Sequence, residues 1–454
     1  MSSSSSSSSQ HSDGGDGGNG RRGGGDFEGP SSSRRRSVHG VWPEPFVEAL
    51  ASQVAIDASL SSGRLASAPA LVNLFQVCST WRAVSRSDLL WQNLTRRIWN
   101  RHHRLLHHLT WRDEFIFRHR TALNFTHARY IYSTLHFNPA IDHINNNEDG
   151  LSCRRLALSD RYLAAGYSDG SVRVFHLPFG LHLFTFFPLQ RDRLGQFSPA
   201  VSGIILSDTH IIFASLDGDI HVSLTNNAVP TRRSHLGDVV NDGALVDFTG
   251  CNRWWVGLYA GVPGRAFHVW NGHTEELVFV GGSLTDPEAV MGWHLLTELT
   301  GFVGRVRLTS HESAVASTSL RVIVFDLRTQ VIILGEEFRR GILVGTVDAN
   351  DEALFIVDNR GFASLRRVDT LNEVCRFRVR GVSTAQGGLL GCINLGYAVI
   401  CAGGVISVWE VDRGAHLYSL GERIGETSAM VADDRYVAAS TSDTTIHLWD
   451  FGAQ

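Results

Sequence analysis

The stretch SDRYLAAGYSDGSVRVF at Ser159–Phe175 returns as DDRYVAASTSDTTIHLW at Asp433–Trp449. Both join an Arg-Tyr dipeptide to an apolar run, a Ser-Asp turn and a second run ending in an aromatic residue. Two β-prone runs around a short Gly/Asp/Asn/Ser turn predict a hairpin. One hairpin found at both ends of a region implies that the region between is made of the same unit.

Weaker copies fill that region: Ser207–Leu224, Asn252–Trp270, His311–Leu327, Asp351–Val368 and Leu395–Val411. The second runs end near Phe175, Val222, Trp270, Phe325, Leu365, Trp409 and Trp449. Seven units at a step of about 46 residues are close to the period of a four-stranded propeller blade. Trp449 lies so near the final residue that the last blade lacks an outer strand. An open ring would expose that edge. The β-prone run Ala128–Phe137 is expected to supply the missing strand and close the ring.

The 454 residues allow two or three domains, and 43% hydrophobic content supports a large core. A net charge of −4 gives no global field favouring nucleic acid. Cys78, Cys153, Cys251, Cys375, Cys392 and Cys401 form no C-x-x-C pair, and read as thiols in a reducing compartment. The polyserine start is no signal peptide. Gly387–Trp409 is uncharged and long enough to cross a bilayer. Its glycines and the Gly403-Gly404 turn instead predict two buried strands of one blade, so no membrane contact is expected.

Residues 1–40 are Ser, Gly, Asp and Arg, too polar to offset chain entropy, and are expected to be disordered. Residues 41–100 read as a helical domain, 101–127 as a helical connector and 128–454 as the propeller. Phe46, Leu50 and Val54 share one helical face, with Pro45 in the first turn. Asp57–Pro69 reads as a small polar insert. Leu71, Leu74, Phe75, Cys78 and Trp81 return to helical spacing, and Ser87 or Asp88 can cap a further helix.

In the connector, His103 and His107 stand four apart, but no Cys or carboxylate completes a ligand set, so no metal or cofactor is expected. Its basic residues interleave with aromatics as in single-strand binders. Leu105, Leu106, Leu109, Trp111, Phe115 and Ile116 favour a helix packing the two domains together, without direct nucleic-acid binding. No G-x-S-x-G, H-E-x-x-H or P-loop marks an enzyme. Asp169, Asp217, Asp358 and Asp443 recur at hairpin tips, where such residues brace turns. Arg232, Arg233, Arg265, Arg360 and Trp293 are candidate substrate-binding residues, being Arg and Trp in loops without a blade-building reason.

Trp449-Asp450 resembles the closing dipeptide of the WD-repeat family, with Trp409-Glu410 and Phe325-Asp326 as near matches. The family's Gly-His dipeptide is missing from most units, so the resemblance is degenerate. Val77-Cys78-Ser79-Thr80-Trp81 and Asp88-Leu89-Leu90-Trp91 resemble the second half of an F-box; Trp42-Pro43 stands where that family has Leu-Pro. The expected fold class is mainly β with an α-helical N-terminal domain: a seven-bladed WD-like β-propeller preceded by an F-box-like helical domain and a disordered Ser/Gly-rich head.

This combination resembles the non-catalytic substrate receptors of Skp/cullin/F-box ubiquitin ligases. The resemblance implies that Pro43, Phe46, Leu50, Leu71, Cys78, Trp81 and Trp91 bind a Skp-type adaptor, and through it a cullin. It implies a propeller that captures a protein substrate, a proximity effect rather than bond chemistry. The order of segments resembles a family of plant developmental regulators, which implies a nuclear protein acting on transcription regulators in flower, meristem and organ growth. A non-catalytic co-repressor scaffold is the alternative. All 41 Lys+Arg residues are arginine. A lysine-free chain offers no amine side chain for self-modification beside a ubiquitin-transfer centre; drift of composition toward arginine explains the same fact.

Overall fold

The computed structural model describes residues 42–105, 108–137, 151–188, 199–225, 231–283, 304–309, 312–318, 321–338, 344–379 and 389–453. The polar head at 1–40, Leu106, His107 and Trp293 lie outside them.

Among the described residues, twenty-eight strands form seven four-stranded antiparallel sheets. The innermost strands are Cys153–Leu158, Val201–Leu206, Ala244–Gly250, Gly304–Leu308, Val344–Ala349, Leu390–Ile393 and Thr427–Ala432. Each touches the next, and the last touches the first, so the blades form a closed ring. The predicted hairpins are the second and third strands of blades, as in Tyr162–Tyr167 with Val172–His176. Stretch 387–409 spans three strands of the sixth blade rather than two, because Leu390–Ile393 also belongs to it.

The core lies between blades. Phe267 of the third blade stacks on Phe325 of the fourth at 5.5 Å, and both are buried. Apolar residues of the seventh blade share one cluster with those of the first. The hairpin tips are braced as their composition predicts. Asp169 Oδ1 accepts from Ser171 N at 2.8 Å, and Asp443 Oδ1 from Thr445 N at 3.1 Å. Asp217 Oδ1 accepts from Ser215 Oγ at 2.5 Å, and Asp358 Oδ1 from Phe362 N at 2.8 Å. Gly170 and Gly218 turn these tips at φ 86°, a conformation that disfavours a side chain.

Ring closure follows the sequence expectation. Ile131–Leu135 pairs antiparallel with Ile446–Asp450, from Ile131 opposite Asp450 to Leu135 opposite Ile446. Trp449 is fully buried, and its Nε1 donates to Glu422 at 2.8 Å. Tyr130 O–H donates to the same carboxylate at 3.2 Å.

Among the described residues, five α-helices precede the ring: α1 Glu44–Ser62, α2 Ser67–Phe75, α3 Ser79–Val84, α4 Asp88–Trp99 and α5 Trp111–Thr126. Pro43 and Pro45 flank the start of α1. Residues 57–62, expected as part of a polar insert, continue α1, and Gly63 at φ 87° ends it. Ser87 Oγ caps α4 by accepting from Leu90 N. Thr110 and Asp113 form a reciprocal capping box at the start of α5. The face of Phe46, Leu50 and Val54, exposed at Phe46 and part-buried at the other two, lies beside the core stripe of α1, which is Val47, Ala51 and Ala55. Small residues there let α2–α4 approach closely, with Leu71, Leu74, Val84, Trp91 and Leu94 in the same core.

Candidate functional site

Turns joining first to second strands lie on one face of the ring, and turns joining second to third strands lie on the other. The helical domain seats on the first of these faces. Arg64 donates to Leu395 O at 2.5 Å and to Glu352 Oε2 at 2.9 Å. Asn100 hydrogen-bonds Asp351. Arg101 pairs with Asp434 at 3.0 Å and Asp160 at 3.8 Å. Burial works against the Arg101 charge, yet Asp434, Asp160 and Asp433 hold its pKa above the usual value.

The end of α5 is driven into the same joint. Phe125 is sandwiched between Phe451 at 3.7 Å and Tyr397 at 5.1 Å. Asn124 Nδ2 donates to Phe451 O at 2.8 Å, and Tyr418 O–H to Phe125 O at 2.5 Å. The connector is pinned by buried Glu114, whose Oε1 meets Arg118 Nε at 2.7 Å and whose Oε2 accepts from Leu105 N at 3.0 Å. His108 Nδ1 lies 2.5 Å from Oε2. Burial raises the Glu114 pKa, but Arg118 and these hydrogen bonds prevail and hold it below the carboxylate norm. The connector reaches the ring through Asn124, Phe125 and Thr126; of the apolar residues expected to pack the domains together, Leu105 and Phe115 are buried, while Leu109 is exposed. Among the described residues no group of His, Cys, Asp and Glu is arranged to hold a metal.

Among the described residues, the opposite end of the helical domain carries exposed apolar side chains. Nineteen residues of α1 at the helical rise place Pro43 about 28 Å from the ring-facing end. Trp42 stacks on Phe46 at 4.9 Å, and both are about half exposed, at 52% and 47%. Leu50 is half-buried on the same stripe. Past Gly63 the chain returns along α1, so Val77 and Cys78, both exposed after α2, lie toward this outer end. Trp81 is half-buried. Leu71 and Trp91 are core residues and touch no outside surface; Trp91 Nε1 donates to Ser85 O at 2.7 Å. Of the seven adaptor candidates, Pro43, Phe46 and Cys78 are exposed, Leu50 and Trp81 partly so, and the other two form the packing beneath.

The candidate substrate residues do not gather at one place. Arg265 pairs with Asp242 at 2.8 Å, and Arg360 sits in a tip braced by Asp358; both are on the open face. Arg233 lies 3.4 Å from Asp219. Arg232 and Arg233 stand in the outer strand Arg232–His235 rather than in a loop, and Arg232 binds Glu275 at 2.7 Å, in a third-to-fourth-strand turn on the helical face. Single-sequence reading ranks such arginines by loop position and cannot see the carboxylate that neutralises each.

No family model matches the chain. Over 438 residues it is 59% identical to the transcriptional regulator STERILE APETALA of Arabidopsis thaliana, covering 95% of this chain and 96% of that protein. Among solved structures, the Myceliophteria thermophila Cps50 (Swd1) β-propeller domain superposes with TM-score 0.48 at 13% identity, over 66% of this chain and 96% of that one. The computationally designed Ika8 protein gives TM-score 0.45 at 17% identity, over 66% and 83%.

Proposed function

The chain belongs to the family of the transcriptional regulator STERILE APETALA, and from that premise we propose that it is the non-catalytic substrate receptor of a Skp/cullin/F-box ubiquitin ligase. In this reading the outer end of the helical domain grips a Skp-type adaptor, and the propeller captures a transcription regulator in the nucleus, in the control of flower, meristem and organ growth. The observation that carries it is the exposed aromatic pair Trp42–Phe46 at the end of α1 remote from the ring. Exposed apolar groups clustered on a rigid element mark interaction sites. The ion pairs and the Phe125 sandwich hold that end at a fixed distance from the ring, as a proximity mechanism needs. The absence of lysine adds support, since such a receptor lacks amine side chains to be modified in place of cargo.

The test is retention of purified Skp-type adaptor by immobilised full-length protein. Wild type holds the adaptor, while Phe46→Asp and the Cys78→Asp/Trp81→Ala double variant release it. A wild-type chain that never retains adaptor overturns the reading. A scaffold that assembles repressors without ubiquitin then takes its place, favoured by the relative's description as a transcriptional regulator. No helix among the described residues is long and apolar enough to cross a membrane.

A further inference from the structure

Val331-Ile332-Ile333-Leu334 opens the outer strand of the fourth blade with four aliphatic residues and no charge. The strand, Val331–Glu337, pairs with Arg321–Asp326 alone, so its outward N–H and C=O groups have no strand beside them among the described residues. Val331, Ile332 and Ile333 are exposed, at 57%, 45% and 53%. Among the described residues, each of the other six outer strands exposes at most two large hydrophobic side chains. The second and fifth are blunted by charge, with Arg232 and Arg233 in one and Glu373, Arg376 and Arg378 in the other. Charge on an outer strand is an ordinary device against edge pairing, and the fourth blade lacks it where its edge is most apolar.

The exposed side chains lie on both sides of the sheet. Cross-strand neighbours share a face. Ile332 stands opposite Phe325, which packs against the third blade. Leu334 stands opposite Val324, which packs against the fifth. Val331 stands opposite Asp326, two residues on from Val324, and so shares that second side. Ile333 has no partner in the ladder, whose register shifts there. A helix or a flat surface laid on one side would leave the other in water. An added strand carries side chains above and below the sheet and covers both, while its backbone takes the outward hydrogen bonds.

Charge decides which strand fits. Arg328 precedes the aliphatic run in the turn, and Glu336 and Glu337 follow it. The Arg328 side chain stays 64% exposed beside its partner Glu312, and that of Glu336 44% exposed beside Arg366. Glu337 is exposed and makes no ion pair among the described residues. A reversed copy of the same strand is therefore complementary at both ends. With Ile332 on the two-fold axis, Val331 faces Ile333, and Arg328 of each copy comes beside Glu336 of the other. A parallel copy would set like charges together. The reversed pairing is isologous and closes on itself, so it gives a dimer and not a fibre.

We propose that the outer strand Val331–Glu337 is a homodimerisation edge, which takes the same strand of a second copy of this chain in antiparallel register about Ile332. One strand pair is a small interface, so reversible association at concentrations on the order of 10 µM is expected rather than permanent pairing. The edge belongs to the ring and not to the helical domain, so adaptor retention reports on the receptor reading separately.

The test is sedimentation velocity of full-length protein over a concentration series, with thermal unfolding of every variant as the check on folding. Wild type passes from monomer to dimer as concentration rises. Ile332→Arg sets a charge against its own copy on the axis; it stays monomeric and melts close to wild type, because the side chain is half exposed. Arg328→Glu and Glu336→Arg each weaken association about tenfold or more. The double variant recovers to near the wild-type constant, a rescue that only reciprocal contact between copies gives. A wild type still monomeric about tenfold above the expected concentration overturns the proposal and leaves the edge to a foreign strand. A dimer that persists in Ile332→Arg, or a double variant no tighter than the single ones, overturns it equally.

Discussion

The ring and the outer end of the helical domain treat aromatic side chains in opposite ways. In the ring Trp255, Trp270 and Trp449 are buried between blades, where each completes a neighbour's packing. At the start of α1, Trp42 and Phe46 stack on each other and face solvent. The same residue types thus serve stability in one region and remain available for contact in the other. The difference teaches that apolar content alone does not mark a core: position relative to the next packed layer decides.

Trp449→Ala tests the stabilising side of this contrast most severely. It removes a fully buried indole at the closure, and a loss of about 4–5 kcal/mol is expected in denaturant unfolding. An unchanged midpoint would mean that the closure does not hold the ring. Glu114→Gln comes next. It strips a buried carboxylate from Arg118 and His108 and should lower unfolding free energy by about 3 kcal/mol.

A pH series probes the buried polar part of the ring. His268 is fully buried and stacked on Tyr259 at 4.0 Å. Burial pushes its pKa down from 6.5 to about 4, against the pull of Asp242. Between those values the unfolded chain binds more protons than the folded one, so stability rises with pH through the window and is lost as pH falls. His268→Phe should flatten that slope, removing about 1–3 kcal/mol of acid sensitivity. Phe46→Asp gives the smallest stability effect, within about 0.5 kcal/mol, because the side chain is half exposed. Its consequence is expected in adaptor retention alone. A large destabilisation would place Phe46 with the ring aromatics and dissolve the contrast.

Much of the ring was legible because the hairpin repeats. All seven aromatic or aliphatic end markers, from Phe175 to Trp449, fall in third strands, and Ile131–Leu135 closes the ring as its β-prone composition implies. The buried stripe of α1 was not legible, because the bulkier face stands one position away from it. Phe46, Leu50 and Val54 outweigh Val47, Ala51 and Ala55 in bulk, but tight helix packing selects the smaller stripe. The turn at Gly63 was hidden because Asp57–Pro69 mixes helix formers with breakers. The ion pair of Arg155 with Asp247 left no local signal. Arg155 and Asp247 stand in different blades, and only ring geometry brings them within 3.4 Å. Conversely, Arg232 and Arg265 looked free in the sequence because Glu275 and Asp242 are distant in the chain.

Pairing of Ile131–Leu135 with Ile446–Asp450 also sets an order on biosynthesis. The first of these strands leaves the ribosome about 300 residues ahead of its partner, a delay of tens of seconds at ordinary elongation rates. Throughout that interval the nascent polypeptide carries a raw sheet margin open to wrong pairing. Premature termination a few codons upstream of Ile446 would leave that margin permanently unmated, and such products are the ones chaperones should retain longest.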